Sequence, residues 1–229
     1  RYLSDFDALP PAPPVPLQAR FSEPKAVTHS YAVSADGDTE RKAQVCVNWL
    51  LTEITDPETA LSLAILRHIL IGTPASPLRK ALLDSGLGED TAGSGLAALL
   101  RQSYFSLGLR GTREADAPAI EALMLDTLRR LADEGLDPAS VEAALNTIEF
   151  DKRELTQMFA ALTTWTYSGD PWWPLAYAAP LESIKSRASA GLYFEGMIRS
   201  LFVDNPHRTT LTLRPDPDFM KTIEAAEKA

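Results

Sequence analysis

Residues 42–52 carry the pattern that most restricts the fold of this chain. Ala43, Val45, Val47, Trp49 and Leu51 alternate with Gln, Cys, Asn and Leu side chains. Because successive side chains of a strand point to opposite faces, this alternation predicts a strand with one buried and one mixed face. A buried strand face needs a covering layer, so the chain is expected to form a sheet with other elements packed on it.

A buried helix is predicted directly after this strand. Asp56 and Pro57 are residue types typical of an N-cap and a first helical position. Residues 61–71 are apolar almost all round, which favours burial. The Gly-Thr-Pro sequence at 72–74 predicts the end of this helix, and a second short helix is predicted over 77–84.

Five segments have the residue pattern of strands: 25–34, 42–52, 90–99, 103–111 and 208–214. Asp36-Gly37 lies between the first two and suits a tight turn, which predicts that they form a hairpin. Gly93, Gly95 and Gly108 indicate bulges or close backbone approach. In the last strand, Leu211 and Leu213 are expected to share one face.

Helices are predicted between these strands. One has an apolar stripe from Ile120 to Leu131 and ends at Gly135, and the next begins at Asp137-Pro138, with its stripe reaching Leu155. A Trp-rich connector over 165–177 precedes a helix over 180–202, in which Leu192, Glu195 and Ile198 have helical spacing, and a short polar helix closes the chain. The grouping of strands and helices predicts the α+β class, with an antiparallel or mixed sheet and helices packed on one face.

The first segment differs from the rest in composition. Residues 1–24 hold six of the 17 prolines, which predicts an extended linker because proline fixes φ and lacks a backbone donor. Residues 25–229 are expected to form one folded domain. The chain begins at Arg1 without Met, so we expect a cut in an interdomain linker, with a processed whole protein as the alternative.

Composition excludes several classes of function. A formal net charge of −9 over 229 residues argues against nucleic acid as a partner, which requires a basic face. The single cysteine, Cys46, excludes an intramolecular disulfide and every multi-Cys zinc site. No run approaches ~18 consecutive apolar residues, so no membrane span is predicted. The absence of disulfides fits a reducing compartment, either a bacterial cytoplasm or an organelle matrix.

The sequence contains no established catalytic or metal-binding motif. A zinc peptidase needs H-E-x-x-H or its inverse H-x-x-E-H, but His29, His68 and His207 are far apart in sequence. His68 is expected to be a core histidine, and His207 to have a capping or surface role. Ser94 lacks the context of a nucleophile elbow, and Cys46 is expected to be an inert buried thiol. The residues predict neither a catalytic group nor a metal ligand.

Several blocks together resemble a known family. They are residues 70–82, 85–90, 142–150, 193–199, 204–208 and 214–217, in this order. From about residue 45 to 217 the chain resembles the presequence-protease and falcilysin branch of the insulinase (pitrilysin) zinc metallopeptidases.

The resemblance implies a non-catalytic domain. Members of that family have four related α+β domains in two hinged halves that close around a peptide. Their zinc is held in the first domain by H-x-x-E-H and a distal Glu, and this chain has no such motif. It resembles the second domain, so we expect no cofactor here, zinc elsewhere in the parent enzyme, and a role in the chamber wall. The implied partners are the other domains of the parent chain and its peptide substrate.

Arg79 is the only residue that the resemblance singles out. In the family's fourth domain, a related Leu-Arg precedes a Tyr by six or seven positions, and both contact substrate near the zinc. Leu78-Arg79 matches that Leu-Arg, but Ser85 and Gly86 stand where the Tyr would be. A structural or interdomain role for Arg79 is therefore favoured over a transition-state donor.

Two other functions remain open from the sequence. One is a free-standing, non-catalytic binding or assembly subunit of the same fold, which the presence or absence of an upstream H-x-x-E-H in the same reading frame would decide. The other is a helical partner-binding module that uses Trp165, Trp172 and Trp173. For these tryptophans a core or interdomain position is the favoured interpretation.

Overall fold

The computed structural model describes residues 15–34, 39–54, 56–98, 100–151, 156–167 and 170–227. In this part of the chain five strands form one sheet: β1 (Lys25–Ala32), β2 (Ala43–Glu53), β3 (Asp90–Ala97), β4 (Gln102–Thr112) and β5 (Arg208–Asp216). Eight α-helices accompany them: α1 (Pro57–Ile71), α2 (Pro77–Asp84), α3 (Ala117–Glu134), α4 (Pro138–Asp151), α5 (Thr156–Thr166), α6 (Ala178–Ser189), α7 (Tyr193–Ile198) and α8 (Phe219–Glu227).

The sheet has the strand order β1-β5-β2-β4-β3 and is mixed. Only the β1–β5 pair is parallel, and the other three pairs are antiparallel. This confirms the predicted α+β class, but the hairpin between the first two strands is wrong, because β5 lies between them. β2 is buried along one whole face and needs two neighbours, whereas most of β1 is exposed, as suits an edge strand. Asp36-Gly37 lies outside the described residues.

The core forms between one face of the sheet and the helices. Ala43, Val45, Val47, Trp49 and Leu51 are all buried, which confirms the predicted alternation of β2. The other buried apolar side chains of the same cluster come from β4, from helices α1, α2, α3, α4, α6 and α7, and from Phe202 just after α7.

An aromatic cluster lies at the centre of this core. The Trp49 ring meets the Phe202 ring edge-on with 5.4 Å between centroids, and Phe105 meets Phe202 in the same way at 5.2 Å. Trp49 Nε1 donates to the Phe202 carbonyl at 3.1 Å, so the one polar atom of the indole is satisfied inside the core.

Helix α1 begins and ends as predicted. The Asp56 carboxylate accepts a hydrogen bond from the Thr59 amide at 2.7 Å, and Pro57 occupies the first helical position. Seven residues of the helix are buried, as its continuous apolar sequence indicates. His68 is only half-buried rather than a core residue, because it lies near the exposed Arg67 on the outer side of the helix.

Gly108 confirms the prediction of close backbone approach. A Cβ at this position would lie 1.8 Å from the Val45 carbonyl oxygen of the paired strand. The predicted bulge is also present, since the β3–β4 register shifts between Ala92 and Gly95, where Gly93 has a φ of +99°.

Strand β5 confirms that Leu211 and Leu213 share one face, and shows that this face is the one opposite the core. Thr210 and Thr212 face the core, whereas Leu211 and Leu213 are half-buried on the other face. In the antiparallel register Thr210 lies opposite Val47, and opposite residues share a face. Alternation shows that the two faces of a strand differ, but it does not show which face is covered.

The helix predicted over 180–202 is interrupted. Helix α6 ends at Ser189, α7 begins at Tyr193, and a π-helical turn over Arg199–Val203 follows it. Gly191 and Leu192 have φ values of 88° and 63°, a left-handed conformation that ends a helix. Leu192 was expected inside the helix but instead precedes α7 and is 74% exposed.

The Trp-rich segment contains more helix than predicted. Trp165 lies within α5, and a short 3₁₀ turn covers Trp173–Leu175. Trp165 and Trp172 are 67% and 72% exposed, so they are not core residues. Leu155, predicted on the α4 stripe, lies outside the described residues.

Candidate functional site

Arg79 lies half-buried on α2, and its surroundings are polar. Its Nε is buried and has no hydrogen-bond partner among the described residues. The Asp90 carboxylate at the start of β3 accepts a 2.6 Å bond from Arg110. This bond and a bond from the Thr91 amide lower the pKa of Asp90, and the positive charge of Arg79 adds to the effect. Arg79 therefore helps to keep Asp90 ionised.

A small cleft of about 300 Å³ lies beside Asp90 and Arg110 at one end of the sheet. Lys42 and Arg110 line it together with Glu89 and Asp90, so its charges balance. Such a cleft can hold a polar group, but it contains no Ser–His or Cys–His pair for nucleophilic catalysis.

Zinc does not fit the residues of this chain that the structure describes. They contain no group of three or more His, Cys, Asp or Glu side chains able to hold a metal ion. His29 is exposed on β1, His68 is half-buried on α1, and His207 is buried just before β5. These three elements do not bring the imidazoles into one ligand set, so no catalytic step through zinc is derived from this chain.

Cys46 is half-buried on the sheet face opposite the core rather than fully buried. Burial raises the pKa of its thiol, and a hydrogen bond with Ser106 only partly offsets this. The thiol is therefore protonated at neutral pH, which does not favour nucleophilic chemistry.

His207 has a role that the sequence analysis missed. It is 7% exposed, and its Nδ1 accepts a 3.0 Å hydrogen bond from the Phe21 amide. The two rings stack with 3.8 Å between centroids and 10° between planes. A contact between residues 186 positions apart leaves no local signal, so neither periodicity nor spacing could have found it.

Residues 15–24, which we call the strap, are anchored to the end of the sheet. Arg20 donates to the Leu50 carbonyl at 2.6 Å and also to the Leu51 carbonyl. β5 pairs with β2 only as far as Trp49, so Arg20 satisfies carbonyls that lie beyond the last strand pair. The Gln18 amide donates to the Gln102 side chain at 2.6 Å.

The sheet face opposite the core is open, and we call it the open face. It carries Cys46, Asn48, Leu50, Leu211 and Leu213, all only half-buried. A cavity of about 300 Å³ lies between this face and the strap.

A larger groove of about 650 Å³ runs between α4, α6 and α7. Two of the sequence blocks that carry the family resemblance, 142–150 and 193–199, contribute to its walls. Polar side chains of the second block form hydrogen bonds with neighbouring elements. Glu195 accepts from the Leu136 amide at 2.9 Å, and the Tyr193 hydroxyl lies 2.8 Å from Ser62 Oγ. These residues join α7 to the start of α4 and to α1.

Helix α5 presents an apolar surface to solvent. Met158, Phe159, Leu162 and Trp165 recur at helical spacing, and each is at least half exposed. The partner-binding interpretation of the tryptophans therefore has an exposed surface in its favour, which no described part of the chain covers. No described helix is long and apolar enough to cross a membrane.

Comparisons with known proteins agree on one family. Residues 1–148 match the model of the Peptidase M16 inactive domain. Presequence protease 1 of Arabidopsis thaliana, a chloroplastic and mitochondrial protein, is 41% identical over 99% of this chain and 22% of its own length. The mitochondrial presequence protease of Xenopus laevis is 29% identical over 99% of this chain and 23% of its own length. The chain thus spans less than a quarter of these relatives.

Solved structures show the same fold. A peptidase M16 inactive domain from Pseudomonas fluorescens aligns with a TM-score of 0.56 and 14% identity, over 91% of this chain and 48% of that one. The matching family model covers more than half of the residues and agrees with the resemblance to insulinase-type peptidases. The chain therefore belongs to the M16 peptidase family, as one of its inactive domains.

Proposed function

We propose that this chain is the non-catalytic second domain of a longer zinc metalloendopeptidase. The observation that carries the proposal is its membership of the inactive M16 domains, together with relatives more than four times its length. In that longer protein an upstream domain holds the zinc, and residues 1–24 link the two domains. The partners are those other domains and the peptide substrate.

The open face is the surface that suits a chamber wall. Leu50, Leu211 and Leu213 are half-buried there beside the uncharged Asn48. The register also puts Arg110 and Asp90 on this face, where they pair with each other and offset their charges. The middle of the face mixes apolar and uncharged polar groups, which can contact peptides of many sequences. This supports a wall that limits substrates by size rather than by sequence.

Arg79 has a structural or interdomain role in this proposal. Its unsatisfied Nε and its effect on Asp90 place its interactions at the α2–β3 end of the domain. In the family's fourth domain, the Arg contacts substrate together with a Tyr. Ser85 or Gly86 stands at the position of that Tyr here, so Arg79 lacks the residue that would contact substrate with it.

Two variants of the complete enzyme test these assignments in one peptide-cleavage assay. Leu211→Asp puts a charge on the open face and is expected to raise KM for peptides, while kcat stays within about twofold. Arg79→Gln is expected to leave both parameters within about twofold. Thr28→Asp, at an exposed position of the edge strand β1, is the control for added charge.

Two results would contradict the assignments. An unchanged KM in Leu211→Asp, with the fold intact by circular dichroism, removes the open face from the substrate's path. A loss of about 10²-fold or more in kcat for Arg79→Gln is the size expected of a transition-state donor and would assign Arg79 that role.

Localisation follows the parent protein. The names of the Arabidopsis thaliana and Xenopus laevis relatives assign both proteins to organelles. If the source is a eukaryote, we expect this protein in an organelle matrix, and if it is a bacterium, in the cytoplasm. A free-standing assembly subunit remains the alternative. It would be supported by a gene that encodes no H-x-x-E-H upstream of this domain.

A further inference from the structure

The contact between His207 and the strap depends on an unprotonated nitrogen. The Phe21 amide donates to His207 Nδ1 at 3.0 Å, and an imidazolium ring has no acceptor because both nitrogens carry protons. The nearly parallel stack of the two rings orients this bond. The strap is therefore held at Phe21 only while Nδ1 is free of a proton.

The charged groups that act on His207 are cations. Arg20 lies on the strap, and Lys25 begins β1 with its Nζ 3.9 Å from the Phe21 ring centroid. Arg208, the next residue of β5, is paired with Glu121 of α3 at 3.1 Å, so its charge is compensated.

The other elements around His207 contribute no charged group to the adjoining cavity. β2 supplies Asn48, Trp49 and Leu50, and β4 supplies Tyr104, whose phenol is neutral near pH 7. Asn205 accepts from the His207 amide at 3.0 Å and fixes the backbone there. A proton on His207 would thus add a third positive charge beside Arg20 and Lys25, and the described residues that line the cavity include no carboxylate to offset it.

We propose that His207 is a pH-sensitive latch, whose neutral imidazole holds the strap on the sheet and whose protonation releases it. Protonation removes the acceptor for the Phe21 amide and sets like charges against one another. The attraction of an imidazolium for the Phe21 ring does not compensate, because Lys25 already lies over that ring. Release would remove the Arg20 donors from the Leu50 and Leu51 carbonyls, of which Leu50 keeps a 2.9 Å bond from Asn205 Nδ2, and would free the strap.

The direction of the pH effect follows from linkage. Burial, and then the charges of Arg20 and Lys25, lower the pKa of His207 below its ordinary value of 6.5 in the docked state. The latch is therefore at full strength above pH 6.5 and weakens as pH falls below that value. Strap opening is expected to increase by up to about tenfold per pH unit until the pKa of the docked state is reached.

Hydrogen–deuterium exchange of the 229-residue chain, corrected for intrinsic rates, tests the latch. Between about pH 7.5 and about pH 5, exchange at the Phe21 amide is expected to accelerate, by up to about tenfold for each pH unit below 6.5. The Val45 and Val47 amides of β2 should stay protected. If these core amides exchange together with the Phe21 amide, acid unfolds the whole domain and the latch proposal is wrong.

Two variants separate the latch from other acid effects. His207→Asn puts an amide oxygen near the position of Nδ1 but cannot be protonated, so strap opening should lose its pH dependence. His29→Asn, at an exposed histidine of β1, should keep the wild-type pH dependence. If His207→Asn also loosens the strap by losing the ring stack, the pH profile remains the readout. The proposal is overturned if strap opening depends on pH in His207→Asn, or if it does not depend on pH in the wild type.

Discussion

Replacing Trp49 by Ala is expected to lower the free energy of unfolding by about 3–5 kcal/mol. The indole is fully buried among Phe105 and Phe202, so its removal leaves a large cavity at the centre of the core. It also leaves the Phe202 carbonyl without its 3.1 Å donor, and an unsatisfied buried acceptor adds to the cost. Urea denaturation followed by far-UV circular dichroism measures the change.

Trp165→Ala is the matched control for this prediction. Its indole is 67% exposed on α5, so the same substitution should change the free energy of unfolding by no more than about 0.5 kcal/mol. Equal costs for the two substitutions would show that Trp49 is not the centre of the core.

Gly108→Ala is expected to destabilise the domain by at least about 3 kcal/mol or to prevent folding. The new Cβ would lie 1.8 Å from the Val45 carbonyl oxygen and 2.7 Å from the Cys46 Cα. Both atoms belong to the backbone of β2, so only a separation of the two central strands could relieve the overlap. Thermal and urea unfolding, with the soluble yield as a first indication, measure the effect.

Gly196→Ala provides the control for Gly108. A Cβ at this position of α7 meets nothing within 4 Å, and alanine favours a helix over glycine. We expect it to be neutral or to stabilise by about 0.5–1 kcal/mol. A tolerated alanine at 108 would mean that β2 and β4 are not packed at the distance described.

Local patterns were sufficient for the elements whose signals lie within a few residues. The alternation of β2, the Asp56-Pro57 start of α1 and the glycine at 108 each follow from steric and hydrogen-bonding rules that act locally. These elements were predicted correctly, and so was the α+β class that their order implies.

Features that depend on distant pairing were not predicted. The hairpin between β1 and β2 failed because β5, over 150 residues further along the chain, occupies the position between them. The same register turns Leu211 and Leu213 away from the core, since it sets Thr210 opposite Val47. Likewise, the role of His207 arises only when the strap crosses the end of the sheet.

The candidate site was predicted mainly through what the sequence lacks. Missing zinc motifs and the family resemblance indicated an inactive domain, and the matching family has that description. The role of Arg79 remains a prediction, because an interdomain contact becomes visible only in a structure that contains both domains. The open face could not be assigned from sequence either, since a half-buried Leu211 and a buried one have the same local pattern.

Zinc content and peptide cleavage, measured on the purified 229-residue chain and on the complete product of its gene, test the central claim most directly. The chain alone is expected to bind no stoichiometric zinc and to cleave no peptide, whereas the complete product binds zinc in its upstream domain and cleaves. One zinc per chain, or turnover by the 229 residues alone, would contradict the assignment of this domain as the inactive part of a zinc peptidase.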